Sequence, residues 1–379
     1  MLRSSDAVAR PDLVVAYPRR LGASAHETAS HQELARRLAG LLGCACDVDY
    51  EPPAHPAGAA RRLYYVPAMT LGAAAATRLG IAGEADLYGG VVPYDFVSTK
   101  AITHPTPPNA WTAPPAGWSA RLQARLQGAV LAGYTVFSPE DAQLAGHLLL
   151  RAGPVRIKPV EATAGRGQRT VRDAIELQEA IRAQNADDIA RCGLVLEEHL
   201  DAVTTYSVGT VRLPVMAASY VGTQHLTRDN AGKPVYGGSD ILFVRGGLDN
   251  LAAQHWPAPL QRAIGLARRY DGAVADCYAG FFASRRNYDV AEGRGPQGDC
   301  RCGVLEQSWR AGGASMAEIC ALEALRDDPS LPRVRARTTE SYGAGQAHPA
   351  GASIVFDDED PTVGRIAKSA GVVGHGDTQ

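Results

Sequence analysis

The chain lacks several features that would fix its class at once. It has no apolar run of about 18 residues, the length that a membrane helix needs, and residues 1–12 lack the apolar core of a signal peptide. Its 38 Lys and Arg residues nearly balance its 40 Asp and Glu residues, so bulk charge gives no reason to expect nucleic acid or an anionic membrane as a partner. We therefore expect a cytoplasmic globular protein.

Cysteine is scarce, and the common catalytic signatures are missing. Seven cysteines, an odd number, are spread over 379 residues, which is typical of reduced thiols rather than of a disulfide framework. Cys44-x-Cys46 and Cys300-x-Cys302 have neither the spacing nor the nearby histidines of a zinc site. The Walker-A spacing, Gly-x-Ser-x-Gly and the dinucleotide fingerprint are absent as well. No other signature therefore competes with the pattern that follows.

The most informative pattern is a strand that ends in lysine and runs into a glycine-bearing turn. Residues 155–160 read VRIKPV and include Lys158, and Gly165, Arg166 and Gly167 follow. Glycines let main-chain N–H groups approach phosphate oxygens closely, and a lysine supplies a point charge between them. This layout is typical of sites that hold a nucleotide polyphosphate, although an ordinary hairpin turn uses the same residues.

The first part of the chain alternates between strand and helix patterns. Over residues 1–95 this alternation predicts a small open α/β domain. One helix is expected to begin after Ser30, which forms a capping box with Glu33, and to end at Gly43. Residues 96–132 combine a proline-rich loop with a helix and are expected to link this domain to the next.

The rest of the chain mixes helices with strands. A long helix is expected over residues 251–270, and it leads to three closing strands, the first over residues 273–283. The tail, residues 329–379, is rich in glycine, proline and charge. We expect it to be partly disordered or to cover the surface.

Three motifs occur in one order along the chain. They are the lysine strand with its glycine turn, an apolar strand ending in Glu197–Leu200, and the segment GVLEQSWRAGGAS at residues 303–315. In this order they resemble the ATP-grasp superfamily, including an uncharacterised bacterial branch of it, over about residues 96–325. The resemblance implies an α/β (α+β ATP-grasp) fold in which two subdomains follow the N-terminal domain and grip the nucleotide. Residues 133–200 would form the lid subdomain and residues 201–328 the larger one.

The resemblance implies which residues hold the phosphates. Lys158 matches the lysine that contacts the α- and β-phosphates, and Lys100 matches an earlier lysine over the phosphates. Gly165, Arg166 and Gly167 match the mobile loop that closes on them. A triphosphate carries several negative charges that must be compensated out of bulk water, which gives these cations a physical purpose. The alternative for either lysine is a solvated side chain.

The resemblance assigns the hinge strand to the nucleoside. Glu197 and Leu200 match positions where main-chain groups contact adenine and a carboxylate reaches the amino group or the ribose. Glu198 belongs to the same candidate segment, although its side chain is expected to point elsewhere, and an exposed acidic strand end is the alternative. A second acid is usual a few residues further on, and here Thr204 and Thr205 occupy the matching positions.

The resemblance also implies a metal site. Mg²⁺ prefers hard oxygen ligands near phosphates. Asp289 matches the first acidic ligand and Glu306 the second, while Ser308 stands where asparagine is usual; a serine oxygen can also bind Mg²⁺. Arg310, which two glycines follow closely, matches the arginine that holds the transferring phosphoryl group or the acyl intermediate. A structural salt bridge is the alternative for Arg310.

The resemblance implies an ATP- and Mg²⁺-dependent ligase that activates a carboxylate as an acylphosphate for attack by an amine or similar nucleophile. Two alternatives stay open: a non-catalytic ATP-binding regulatory or scaffold protein, favoured by Ser308 and Thr205, and kinase-like phosphoryl transfer to a hydroxyl. The expected cofactors are ATP and Mg²⁺, and the expected partners are a small carboxylate and an amine, with a homodimer as one open arrangement. Arg285 and Arg286 could bind an acidic substrate or face solvent.

Overall fold

The computed structural model describes residues 10–52, 61–161, 167–345 and 348–375. Within these ranges the strands form four sheets: two of three strands, one of four and one of eight. Gly165 and Arg166 of the predicted phosphate loop lie outside the described residues. Gly167 lies inside them, in a left-handed conformation with a φ of 69°.

The N-terminal unit contains short parallel strands and two helices. In its first sheet β1 pairs in parallel with β2 and β3, and in its second sheet β4 pairs in parallel with β5. Two 3₁₀ segments and a helix connect this unit to the next one, and a further 3₁₀ segment lies within it, before β5. The elements are β1 (Leu13–Val15), α1 (Ala25–Leu42), β2 (Ala45–Asp47), β3 (Leu63–Tyr65), β4 (Leu71–Gly72), α2 (Ala73–Arg78), the 3₁₀ segment Glu84–Asp86, β5 (Gly90–Val92), the 3₁₀ segments Asp95–Ser98 and Lys100–Thr103, and α3 (Ala120–Leu126).

The prediction that α1 begins after Ser30 is wrong, because the helix begins at Ala25. The same capping pattern occurs earlier in the sequence, and there the backbone N–H of Ser24 donates to the Glu27 carboxylate at 3.2 Å. Ser30 lies inside the helix, and its hydroxyl donates to a main-chain carbonyl one turn earlier. The predicted end is confirmed: Gly43 has a φ of 71° and donates its N–H back to the last turn.

A four-stranded antiparallel sheet with three helices follows. Its strand order is β6-β9-β7-β8, so the strand that carries Lys158 pairs directly with the strand that carries Glu197. Ser138 caps α4 by accepting the N–H of Asp141 at 3.1 Å. The elements are β6 (Gly133–Val136), α4 (Pro139–Leu150), β7 (Val155–Pro159), β8 (Arg169–Val171), α5 (Ala174–Arg182), α6 (Ala186–Cys192) and β9 (Leu194–Glu198).

The largest sheet has eight strands in the order β15-β14-β10-β11-β12-β16-β18-β17, and all neighbours are antiparallel. A short strand, β13, pairs with β5 of the N-terminal unit instead. The elements are β10 (Asp201–Leu213), β11 (Met216–Arg228), β12 (Pro234–Arg245), α7 (Leu248–Ala252), α8 (Ala258–Cys277), β13 (Phe282–Ala283), β14 (Arg285–Arg294), β15 (Cys300–Ser308), α9 (Ser315–Asp327), β16 (Arg333–Tyr342), β17 (Ser353–Asp360) and β18 (Gly364–His375).

The strand predicted over residues 273–283 is wrong for most of its length: the segment is helical as far as Cys277, and only Phe282–Ala283 is a strand. The region expected to be one helix is divided into α7 and α8, and α8 continues to Cys277. Tyr270, Ala273 and Val274 are all buried against the large sheet from α8. The prediction was wrong because periodicity alone does not distinguish a short apolar run in a strand from the buried face of a helix.

The tail was expected to be partly disordered, and this expectation is wrong for its three strands. β16 pairs with β12, and β18 and β17 extend the sheet beyond it. Along β16 the buried residues Val334, Ala336 and Thr338 alternate with arginines. That alternation of period two is the pattern of a strand with one buried face, and it outweighs the polar composition of the tail.

Two hydrophobic cores cover the two faces of the large sheet. On one face α9 and α1 pack against strand residues such as Val211, Tyr220 and Phe243. On the other face α8 packs against residues such as Val208 and Val290. The N-terminal unit is therefore joined to the large sheet through α1. Among the described residues, no helix combines the length and the hydropathy needed to cross a membrane.

Candidate functional site

A buried lysine, glutamate and histidine lie together between the four-stranded sheet and the 3₁₀ segment that contains Lys100. The ammonium of Lys158 lies 2.9 Å from Oε1 of Glu197, and Nε2 of His104 lies 3.2 Å from Oε2. Burial alone would raise the pKa of Glu197, but the Lys158 ammonium and the His104 ring lower it to about 2. The ionised carboxylate thus holds the Lys158 ammonium in place, and both of its oxygens have partners.

The neighbouring hinge residues have different surroundings. Glu198 accepts the N–H of Ala132 at 2.9 Å and a guanidinium N–H of Arg301 at 3.0 Å. The Leu200 side chain is 4% exposed and packs in a small apolar cluster that includes Leu131. The adenine contacts expected of Glu197, Glu198 and Leu200 stay a prediction.

Lys100 lies against the strand that carries the proposed metal ligands. Its ammonium is 3.0 Å from Oε2 of Glu306, and the lysine side chain is only 6% exposed. The Gln307 amide donates to the carbonyl oxygens of Val97 and Thr99 at 3.0 and 2.7 Å, which fixes the Lys100 segment on β15. A lysine far away in sequence is thus brought to the predicted cation site.

Asp289 and Glu306 are cross-strand partners on β14 and β15. Directly paired residues of an antiparallel sheet point to the same face, so the two carboxylates are neighbours. Burial raises the pKa of Asp289, and the negative charge of Glu306 raises it further. A divalent cation between the two groups would relieve that repulsion.

Three donors orient the Asp289 carboxylate, and the sequence patterns indicated none of them. Oδ1 of Asp289 accepts from the amides of Gln224 and Asn287, each at 2.8 Å, and from the hydroxyl of Ser207 at 3.3 Å. Oδ2 makes no hydrogen bond to any described residue. The three donors come from three strands, β10, β11 and β14.

The residues present fit a Mg²⁺ ion. Two adjacent carboxylates, one with an oxygen left available, are the donor set that Mg²⁺ takes when water and phosphate oxygens complete its octahedron. Ser308 lies two residues beyond Glu306, on the same face of β15, and pairs in register with Asn287. In the described part of the chain no group of three or more His, Cys, Asp or Glu side chains could hold a metal, so solvent or a nucleotide would have to supply the other ligands.

Asn287 is expected to support the metal site from outside the ligand set. Its amide donates to Asp289, and its own oxygen lies 2.9 Å from the Tyr220 hydroxyl oxygen. Losing a residue that orients a metal ligand typically weakens metal affinity about 10- to 100-fold. Asn287→Ala should therefore raise by about that factor the Mg²⁺ concentration that half-saturates the stabilisation by ATP, measured as thermal shift.

The control for this prediction is Ser207→Ala, which removes the longer bond to Asp289. It should change the half-saturating Mg²⁺ concentration less than Asn287→Ala does. Equal effects of the two variants, or no effect of Asn287→Ala, would contradict the role of Asn287.

Arg310 follows β15 and has no carboxylate partner among the described residues. Its guanidinium donates to the carbonyl of Ala311 at 2.7 Å, and it makes no ion pair with a described residue. Burial lowers the pKa of Arg310, and the neighbouring Arg285 guanidinium lowers it further. A bound anion would stabilise this partly buried cation.

Arg285 and Arg286 neither face solvent nor offer a free guanidinium, because both are paired and buried. Arg285 is 1% exposed and lies 2.6 Å from a carboxylate oxygen of the fully buried Glu318. Arg286 pairs with Asp271 and Glu84, each at 2.8 Å. These arginines are structural. Their acidic partners are distant in sequence, so the residues around the two arginines did not indicate the ion pairs.

Comparisons with known proteins agree with this architecture. The family model described as "Protein of unknown function (DUF3182)" matches residues 14–370. Among curated proteins none matches the chain.

Solved structures share the fold at low sequence identity. The biotin carboxylase domain of Hydrogenobacter thermophilus 2-oxoglutarate carboxylase, solved with MgADP, ADP and bicarbonate, has a TM-score of 0.51 at 11% identity and covers 95% of this chain and 86% of that one. Carboxyaminoimidazole ribonucleotide synthase from Aspergillus clavatus, complexed with ATP, has a TM-score of 0.50 at 13% identity and covers 96% and 94%.

A third structure is matched over a shorter length. N5-carboxyaminoimidazole synthetase from Staphylococcus aureus, complexed with ADP, has a TM-score of 0.43 at 14% identity. The match covers 67% of this chain and 65% of that one, so the chain spans about two thirds of that protein. Together with the sheets described above, the two matches with a TM-score of at least 0.50 confirm the predicted α/β ATP-grasp fold.

Proposed function

This chain belongs to the DUF3182 family, and we propose that it is an ATP- and Mg²⁺-dependent ligase that activates a carboxylate as an acylphosphate for attack by an amine or similar nucleophile. The observation that carries the proposal is the meeting of Asp289, Glu306 and Lys100, with the ammonium 3.0 Å from Glu306. The two carboxylates could bind a metal cation and the lysine could bind a phosphate group, so together they suit a metal–nucleotide complex. The comparison proteins solved with ATP or MgADP support the nucleotide.

Each candidate residue of the site would have its own role in this reaction. Lys158 and Lys100 would bind phosphate oxygens, and residues 165–167 would close over them. Mg²⁺ bound at Asp289 and Glu306 would neutralise charge on the phosphates. Arg310 would hold the transferring phosphoryl group. We also propose that residues 133–200 and 201–328 are the two subdomains that grip the nucleotide, with residues 1–95 as a separate N-terminal domain.

The chemistry needs no protein nucleophile. A carboxylate oxygen attacks the γ-phosphorus of ATP and the bond to the β-phosphate oxygen breaks, which gives an acylphosphate and ADP. An amine then attacks the acyl carbon, phosphate leaves, and the amine loses a proton to give an amide. The residues act by positioning the reactants and by stabilising developing charge.

A non-catalytic nucleotide-binding protein is the second candidate. Ser308 favours it, because a hydroxyl replaces the amide oxygen usual at that position and its side chain lies 3.4 Å from the Arg285 guanidinium. Such a protein would bind MgATP without consuming it.

ADP release separates the candidates. The purified protein would be incubated with MgATP and a panel of carboxylates, with and without amines, and ADP would be measured by a coupled assay. The ligase proposal expects ADP release that requires both an added carboxylate and an added amine. ADP release with a hydroxyl acceptor alone would indicate a kinase, and MgATP binding without ADP release under any condition would indicate the non-catalytic protein.

A further inference from the structure

We propose that the cavity beside Arg310 binds a small amino-dicarboxylic acid, with its carboxylates on Arg310 and Arg78 and its ammonium group on Asp95. That this ligand is the carboxylate substrate, which accepts the phosphoryl group, rests on the ligase proposal. That the ligand binds in the cavity does not. The cavity has a volume of about 530 Å³ and opens between the N-terminal unit and the end of β15. Its polar lining consists of Tyr17, Thr70, Arg78, Asp95, Ser98 and Arg310.

Three separate elements bring the charges to this cavity. Arg78 is the last residue of α2, Asp95 is the first residue of a 3₁₀ segment, and Arg310 follows β15. A cavity of this size is typical of sites for small molecules. Apolar side chains, among them Leu71 and Leu79, line the remaining wall and would contact a short methylene chain.

The two arginines lack anionic partners. Neither Arg78 nor Arg310 makes an ion pair within the part of the chain that the structure describes. Nη atoms of Arg310 and of Arg285 both lie 4.0 Å from the point where a Cβ on Gly312 would stand, so two guanidiniums converge there. The Arg285 charge is already compensated by Glu318, and Arg310 is left for a ligand. A planar guanidinium binds a carboxylate through two parallel hydrogen bonds.

Asp95 supplies the opposite charge in the same wall. Its Oδ1 lies 2.5 Å from the point where a Cβ on Gly72 would stand, so only glycine at position 72 lets the carboxylate take this place. Among the described residues Asp95 makes no ion pair. Arg78 and Asp95 are exposed and Arg310 is half-buried, and these two cations and one anion around one cavity complement a ligand with two carboxylates and one ammonium group.

The position of Arg310 connects this cavity to the proposed chemistry. Arg310 borders the cavity, and along the chain it comes two residues after the end of β15, the strand that carries Glu306. A carboxylate bound to it would therefore lie toward the proposed phosphate site. The carboxylate on Arg78 and the ammonium on Asp95 would fix the rest of the molecule.

Calorimetric and thermal-shift titrations with three probes test the inference on the nucleotide-free protein. L-Glutamate carries all three charged groups, glutarate lacks the ammonium, and putrescine lacks the carboxylates. Asp95 is exposed, so we expect L-glutamate to bind up to about fivefold more tightly than glutarate, and putrescine not to bind, since an ion pair at an exposed group is worth at most about this factor. Asp95→Asn should remove the preference for L-glutamate, and Arg78→Gln, which changes an exposed arginine, should weaken the binding of both acids by up to about fivefold.

The matched control is Arg182→Gln, which changes an exposed arginine of α5 and should leave all three titrations unchanged. The inference is overturned if no probe binds the wild-type protein, if putrescine binds best, or if the preference for L-glutamate survives in Asp95→Asn. MgATP titrations on the same variants keep the two proposals apart. Probe binding without MgATP binding would contradict the ligase alone, and MgATP binding without probe binding would contradict the cavity assignment alone.

Discussion

Replacing Arg285 by methionine is expected to lower the free energy of unfolding by about 3–5 kcal/mol, the cost of leaving a buried charge without its partner. Glu318 is fully buried and would keep only the hydroxyls of Tyr220, at 2.7 Å, and Tyr88 as donors. Urea denaturation of the wild type and the variant measures the difference. The effect should be large because this pair lies where the N-terminal unit, α9 and the large sheet meet.

The double variant Arg285→Met with Glu318→Met is the control for this prediction. Removing both charges should recover most of the lost stability, because no unpaired charge is then buried. Arg191→Met, which removes a solvent-exposed pair with Glu161, should change stability little. If the Arg285→Met variant unfolds at the wild-type urea concentration, or if the double variant is no more stable than the single one, the buried pair is not what holds this junction.

Arg285 also bears on function through the main chain. It donates to the carbonyl oxygens of Ser308 and Arg310 at 3.1 and 2.7 Å. The double variant, although stable, should therefore hold Arg310 less firmly than the wild type does.

The second large effect is expected at Lys158. Lys158→Met should weaken ATP binding about 10- to 100-fold, because a charge-assisted hydrogen bond to phosphate is worth about 1.5–3 kcal/mol. The same change leaves Glu197, which is 2% exposed, with His104 as its remaining partner, so stability should fall as well. Isothermal titration with MgATP and urea denaturation measure the two effects separately.

A double variant distinguishes binding from folding at this position. Lys158→Met with Glu197→Gln removes the unpaired carboxylate and should recover stability, but ATP affinity should stay low. If ATP affinity recovers together with stability, Lys158 acts through the fold rather than by contact with phosphate.

Part of the site could be predicted from the sequence because its residues belong to short local motifs. Glu306 stands in the apolar stretch of β15, where a carboxylate is costly unless it has a purpose, whereas Asp289 was indicated by its position in the family pattern. Their contact follows from the antiparallel register of β14 and β15. The register between two strands is set by long-range packing. The sequence therefore indicated both residues, but not that they stand directly opposite each other.

The supporting residues could not be predicted in this way. Gln224 and Ser207 reach Asp289 from positions 65 and 82 residues away in sequence, and neither stands in a recognisable motif. The prediction of disorder in the tail was wrong for another reason. The composition of the tail is polar, but the alternation of buried and partly buried residues within 333–342 is that of a strand. At α1 two capping patterns compete, and the buried face of the helix selects the earlier one.

The most direct test of the central claim is a calorimetric titration of ATP into the wild type and Glu306→Ala, each with and without Mg²⁺. The wild type should bind ATP more tightly with Mg²⁺, and Glu306→Ala should lose this dependence because one of the two carboxylate ligands is gone. Glu306→Gln serves as the variant that keeps the shape of the side chain and removes its charge. Failure of the wild-type protein to bind ATP in either condition would contradict the proposed nucleotide site.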